Sequence, residues 1–76
     1  MDTEKIGITT NYITLGQFLK LANVVESGGM VKLFLADYEV FINDEQDQRR
    51  GRKLYPGDQI NIPDVGLFEV CAEEAM

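Results

Sequence analysis

At 76 residues and 45% apolar content, the chain is too short for two cores and too apolar for disorder, which leaves one small packed unit. A single cysteine and no histidine exclude an internal disulfide and a His-based zinc site, and they remove the side chain that most often performs proton transfer near neutral pH. The net charge of −6 opposes long-range attraction to a polyanion, yet four of the seven Lys and Arg residues fall in Arg49-Arg50-Gly51-Arg52-Lys53, and a Debye length of about 8 Å isolates that stretch from the acidic ends.

Residues 1–12 show only the alternation of Ile6 and Ile8, compatible with a short edge strand or a loosely attached arm. Thr14 and Gln17 then have the spacing of a capping box, and Ile13 with Phe18 that of a hydrophobic staple. Leu15, Phe18, Leu19 and Ala22 recur at helical intervals, so a helix from about Leu15 to Val25 is predicted, with Lys20 on another face. Glu26-Ser27-Gly28-Gly29 breaks it. A second helix follows with Val31, Phe34, Leu35 and Tyr38 on its apolar stripe, Met30 beside the stripe and Lys32 on a different side. The short break predicts that the two helices pack together.

From Glu39 the period becomes two, with Val40 and Ile42 on one side of a strand and Glu39, Phe41 and Asn43 on the other. Asn43-Asp44-Glu45 is a turn, after which Gln46 to Gln48 returns as a short polar strand. Tyr55-Pro56-Gly57-Asp58 is a second turn, with Pro suited to its second position and Gly to its third. Ile60 and Ile62 mark the next strand, Pro63-Asp64-Val65-Gly66 another turn, and Leu67 to Cys71 the last strand. The end, 72–76, is expected to fray. The fold class is therefore α+β, two packed helices against a small, mostly antiparallel sheet.

Catalysis is not expected. Cys71 lies in an apolar strand beside Glu69 and Glu73 and reads as a buried small residue, not a nucleophile. Asp44, Glu45 and Asp47 sit in a polar turn where carboxylates ordinarily serve solvation, so no metal and no cofactor is expected. The basic stretch admits two readings: a phosphate-binding loop whose glycine lets a ligand approach, or a solvated loop neutralised by Asp44, Glu45 and Asp47. Gly28 and Gly29, with Lys32 one turn on, form either an anion site at a helix start or a plain break between helices.

Taken in order, Thr14-Leu15-Gly16-Gln17-Phe18-Leu19-Lys20, Ser27-Gly28-Gly29-Met30-Val31-Lys32, Val40-Phe41-Ile42-Asn43, Arg49-Arg50-Gly51-Arg52-Lys53-Leu54 and Gly57-Asp58 resemble the RNA-binding module first named in ribosomal protein S4. More narrowly, the chain is similar to the short stand-alone bacterial members of that group, the YaaA-like and YbcJ-like proteins, over about residues 13–71. The resemblance implies two helices packed on a small bent sheet, with RNA bound on the face shared by the helices and the basic loop. Carried over by position, the RNA contacts fall on Gly28, Gly29, Lys32, Asn43, Arg49, Arg50, Arg52 and Lys53, while Gly57 and Asp58 match a structural turn. Larger members open the first helix with Arg-Leu-Asp, and here Thr14-Leu15-Gly16 lacks that arginine.

These features predict a single non-catalytic domain over 1–76, with terminal arms at 1–12 and 72–76, in the cytoplasm and with no membrane association. Its expected partner is structured RNA, ribosomal RNA in particular, bound by shape and phosphate position; Tyr55 is the nearest aromatic residue to the basic stretch. Ribosomal proteins are further candidate partners, and a monomer is the default state. The rival is an acidic adaptor that meets a basic protein without touching RNA.

Overall fold

The computed structural model describes residues 2–73. Along the chain come strands β1 (Thr3–Ile8) and β2 (Ile13–Thr14), helices α1 (Leu15–Leu21) and α2 (Gly28–Asp37), and strands β3 (Phe41–Ile42), β4 (Glu45–Gln46), β5 (Lys53–Leu54), β6 (Gln59–Ile62) and β7 (Gly66–Ala72). The main sheet has the order β1-β7-β6-β3-β4 and is antiparallel except where β1 runs parallel to β7; β2 and β5 form a separate antiparallel ribbon. This is the expected α+β arrangement of two helices and a mostly antiparallel sheet.

The amino-terminal alternation belongs to β1, an edge strand of six residues that buries Ile6 and Ile8. Its register pairs Ile8 with Ala72 and the Glu73 N–H donates to Ile8 O at 2.7 Å, so the last strand runs one residue further than Cys71 and the first two residues of the predicted fraying end, 72–73, are held by β1; 74–76 lie outside the described residues. Cys71 is half-buried rather than buried, because the two-residue period gives the core to Phe68 and Val70 and turns Cys71 to the other face.

Helix α1 starts as its capping box requires: Thr14 Oγ1 accepts from Gln17 N–H at 3.3 Å and Gln17 Oε1 accepts from Thr14 N–H at 3.0 Å. It ends at Leu21, four residues before the predicted limit of Val25. Asn23 adopts φ 60, and the amides of Asn23 and Val24 donate to the carbonyls of Lys20 and Leu19, the paired bonds that close a helix around a left-handed residue. Val25 is still buried, from the turn and not from the helix. On α2 the apolar stripe is narrower than predicted. Val31 and Leu35 are buried and Phe34 half-buried, but Tyr38 caps the helix end and stays exposed, stacked on Phe34 at 4.4 Å.

Asn43 and Asp44, at φ 52 and 70, form a two-residue hairpin turn that fits the twist of the flanking strands. Such a turn sets Glu45 directly opposite Ile42, so β4 begins at Glu45 and not at Gln46. Ile42, Ile60 and Phe68 then lie side by side across three strands and are all buried. The Phe18 ring of α1 meets Phe68 edge-on at 5.6 Å, which joins helix layer to sheet, and no polar or charged residue among the described residues is buried. No helix of the described residues is long and apolar enough to cross a membrane.

Candidate nucleic-acid interface

The basic loop is fastened at both ends before any of its cations reaches solvent. Gln48 Nε2 donates to the carbonyls of Leu35 at 2.7 Å and Tyr38 at 3.0 Å, satisfying acceptors left open at the end of α2. The carbonyls of Arg50 and Arg52 accept from the N–H groups of Gly16 and Leu15 at 2.9 and 2.8 Å, satisfying the donors left open at the start of α1. One loop thus caps two helices, and its backbone is set by the fold.

Its four cations do not act alike. The Asp47 carboxylate accepts from Arg49 Nη2 at 2.7 Å, Arg49 Nε at 3.0 Å, Arg52 Nη1 at 2.8 Å and the Arg49 backbone N–H at 3.0 Å. The Asp47 side chain is 9% exposed, and the hydrogen bonds from Arg49 hold its carboxyl well below the usual carboxylate range. Neutralisation by a neighbouring acid therefore applies to Arg49 and Arg52: Asp47 supplies the contact ion pairs, Glu45 adds a weaker attraction on Arg49 from a distance, and neither Asp44 nor Glu45 forms an ion pair with the stretch. Of the two readings of the stretch, the neutralised one describes Arg49 and Arg52, because a two-residue spacing lets Asp47 receive the Arg49 fork and a tight turn brings Arg52 back to it.

Arg50 points elsewhere and is exposed. It lines two neighbouring concavities, one shared with Thr14, Gly16, Gln17, Lys20, Gly28, Val31 and Gly51, the other with Lys32, Leu35, Ala36 and Gln48. Lys20 of α1 and Lys32 of α2 therefore lie one in each of the two concavities that share Arg50 of the loop, and none of the three has an ion-pair partner among the described residues. The start of α2 faces the same place: Ser27 makes no side-chain capping bond, so the leading amides of Gly28 and Gly29 are uncapped by it at the positive end of the helix dipole. A Cβ placed on Gly28 or Gly51 would meet nothing within 4 Å, so neither glycine is required by packing.

Gly29 is exposed but lines neither concavity, and Lys53 lies on β5 with Nζ 5.0 Å from the Tyr12 ring centroid. Asn43 is committed to the fold: Nδ2 donates to Asp58 Oδ1 at 3.1 Å and Oδ1 accepts from Gln59 N–H at 3.0 Å. Lys20 is not among the contacts the sequence predicts. Its place three residues after Gln17, on the helix face that also carries Gly16, is the signal that would have found it.

A family model described as S4 domain matches residues 6–71. The chain belongs to the S4 domain family. The span of the S4 match takes in Ile6 and Ile8 of β1, beyond the segment 13–71 that carries the motif resemblance. The chain is also 62% identical over 65 residues to the "Probable ribosome maturation protein RlbA" of Bacillus subtilis (strain 168), which covers 86% of this chain and 92% of that protein. Within this S4 domain Gly57 and Asp58 hold a turn: Gly57 has φ 99, Asp58 N–H donates to Tyr55 O at 2.9 Å, and the Asp58 carboxylate accepts from Tyr55 N–H at 2.8 Å.

Proposed function

We propose that this S4 domain is a non-catalytic RNA-binding module that grips structured RNA by its shape and phosphate positions, and that its target is ribosomal RNA during maturation of the ribosome in the cytoplasm. The placement of Lys20 and Lys32 in two concavities joined by Arg50, the first also lined by Gly28 at the open start of α2, carries this reading. Arg50 offers a planar fork and the two lysines mobile point charges, a combination suited to phosphates on both sides of a groove. Exposed Gly28 and Gly51 let a sugar–phosphate backbone come close to the main chain. The ribosomal target is supported by family membership and by the ribosome-maturation name of the Bacillus subtilis relative. Arg49 and Arg52 serve chiefly to hold the loop, and Lys53 contributes from the neighbouring ribbon. Crosslinking the protein to RNA in cells, with both the RNA fragments and the joined peptides identified, tests this. Ribosomal RNA joined to peptides from α1, α2 and the loop is the expected result, and recovery of the protein free of RNA overturns it.

One observation favours a second reading, an adaptor for a basic protein. Val24, Val25, Met30, Leu33, Phe34, Tyr38 and Val65 line a groove whose one charged member is Asp37, with Glu26 and Asp64 next in sequence to its walls. A basic segment bearing apolar side chains, as on a ribosomal protein, suits that chemistry. Ribonuclease treatment of a pull-down separates the two, since an RNA bridge dissolves and a direct protein contact survives.

A further inference from the structure

The β2–β5 ribbon has one face toward the core and one toward solvent. Ile13 pairs with Leu54 and Thr14 with Lys53, so alternation sends Leu54 inward and Lys53 outward. One residue beyond the ribbon, Tyr12 comes opposite Tyr55: the ring centroids are 5.8 Å apart with the planes tilted by 44°, and Lys53 Nζ sits over the Tyr12 ring. Both rings are open to solvent, Tyr12 at 40% and Tyr55 at 48%. A main-chain ladder thus holds two aromatic rings and a cation together on the surface.

This group is continuous with the cation-lined site. Tyr12 walls a concavity completed by Thr10, Asn11, Ile13 and Gln17, and Gln17 also lines the concavity of Lys20 and Arg50. Gln17 Oε1 is taken by the backbone N–H and hydroxyl of Thr14, whereas its Nε2 has no protein partner among the described residues and can donate to a ligand.

We propose that the Tyr12 surface is a subsite for one unpaired nucleotide of the bound RNA, a step that rests on the RNA-binding reading. The base stacks on Tyr12, and the strand on either side of it runs toward Arg50 and Lys20. The ring centroids are 5.8 Å apart, too close to admit a third ring, so the base covers the outer surface of the pair and does not enter between them. Stacking on an aromatic side chain tolerates any base, and it strengthens binding roughly 5- to 150-fold. The subsite therefore selects unpaired over paired RNA and not one sequence over another.

Two probes test it on the full chain: a blunt RNA duplex, and the same duplex with one unpaired 2-aminopurine nucleotide. The bulged probe is expected to bind roughly tenfold tighter, with its fluorescence quenched in the complex. Tyr12→Ala removes both the gain and the quench while leaving the blunt duplex bound as before, Tyr12→Phe keeps both, and a melting curve of each variant checks the fold. Arg50→Gln weakens both probes alike. Equal wild-type affinity for the two probes, a comparison that needs no variant, overturns the subsite and leaves the RNA-binding reading intact. Failure of both probes to bind overturns the two together.

Discussion

The backbone N–H of Gly16 donates to the carbonyl oxygen of Arg50 at 2.9 Å, tying the first turn of α1 to the residue shared by both cation-lined concavities. A Cβ on Gly16 would lie 3.4 Å from that oxygen and 3.4 Å from Val31 Cγ1. Gly16→Val should therefore destabilise the protein by about 1–3 kcal/mol in urea unfolding. It should also weaken RNA binding at temperatures where the variant is folded, although no charge has been removed.

Asp47 holds Arg49 and Arg52 in ion pairs, so on the proposed RNA-binding reading it would compete with phosphate for them. Asp47→Asn should free two guanidinium groups, strengthen RNA binding and steepen the salt dependence by about 2 in log–log slope, while lowering the melting temperature. Because the folded-state carboxyl is held below its ordinary 3.8, the carboxylate stabilises the fold fully above that value and loses its effect as pH falls through the lowered one. The gap in stability between wild type and Asp47→Asn should be constant from neutral pH to about pH 5 and close only in stronger acid. A gap that closes between pH 7 and 5 would contradict the assigned ion pair.

Gly28 has open space where a Cβ would be. Gly28→Ala should leave thermal stability unchanged or slightly raised, as the backbone loses freedom in the unfolded chain. RNA affinity should fall by severalfold, because the new methyl group fills the approach to the α2 amides. Circular dichroism melting and fluorescence anisotropy with a labelled RNA measure the two quantities.

Asn43 bonds to Asp58 and Gln59 and takes positive φ in the hairpin turn. Asn43→Ala should cost about 1–2 kcal/mol of stability. RNA affinity measured well below the melting temperature should not change, which separates a turn residue from the contact that motif position alone suggests.

Local signals were the readable ones. The capping box at Thr14 and Gln17, the turn at Tyr55 to Asp58 and the two-residue period of Ile60 and Ile62 each depend on neighbours a few residues away, and each stands where the sequence places it. Asn23 ended α1 early because its left-handed conformation is one choice among several for an asparagine, and the apolar pattern of Ala22, Val24 and Val25 hid it. The parallel pairing of β1 with β7 joins the two ends of the fold, so no local pattern could specify it.

The candidate site was readable as a set of residue types and not as a geometry. Arg49, Arg50, Arg52 and Lys53 look equivalent in sequence, but Asp47 takes two of them, the Tyr12 ring lies beneath a third, and Arg50 alone joins Lys32 at the helices. Lys20 looked isolated until α1 packed against α2. Tyr12 and Tyr55 are far apart in the chain and meet only through the pairing of Ile13 with Leu54.

The most direct measurement is RNA affinity across a salt series for wild type and for a variant carrying Lys20→Gln, Lys32→Gln and Arg50→Gln together. Three phosphate contacts predict a log–log slope steeper by about 2 to 3 in wild type than in the variant, at equal melting temperature, since no side chain of the three is ion-paired in the described structure. A variant that binds RNA with the affinity and salt slope of wild type would contradict the assignment of these three cations.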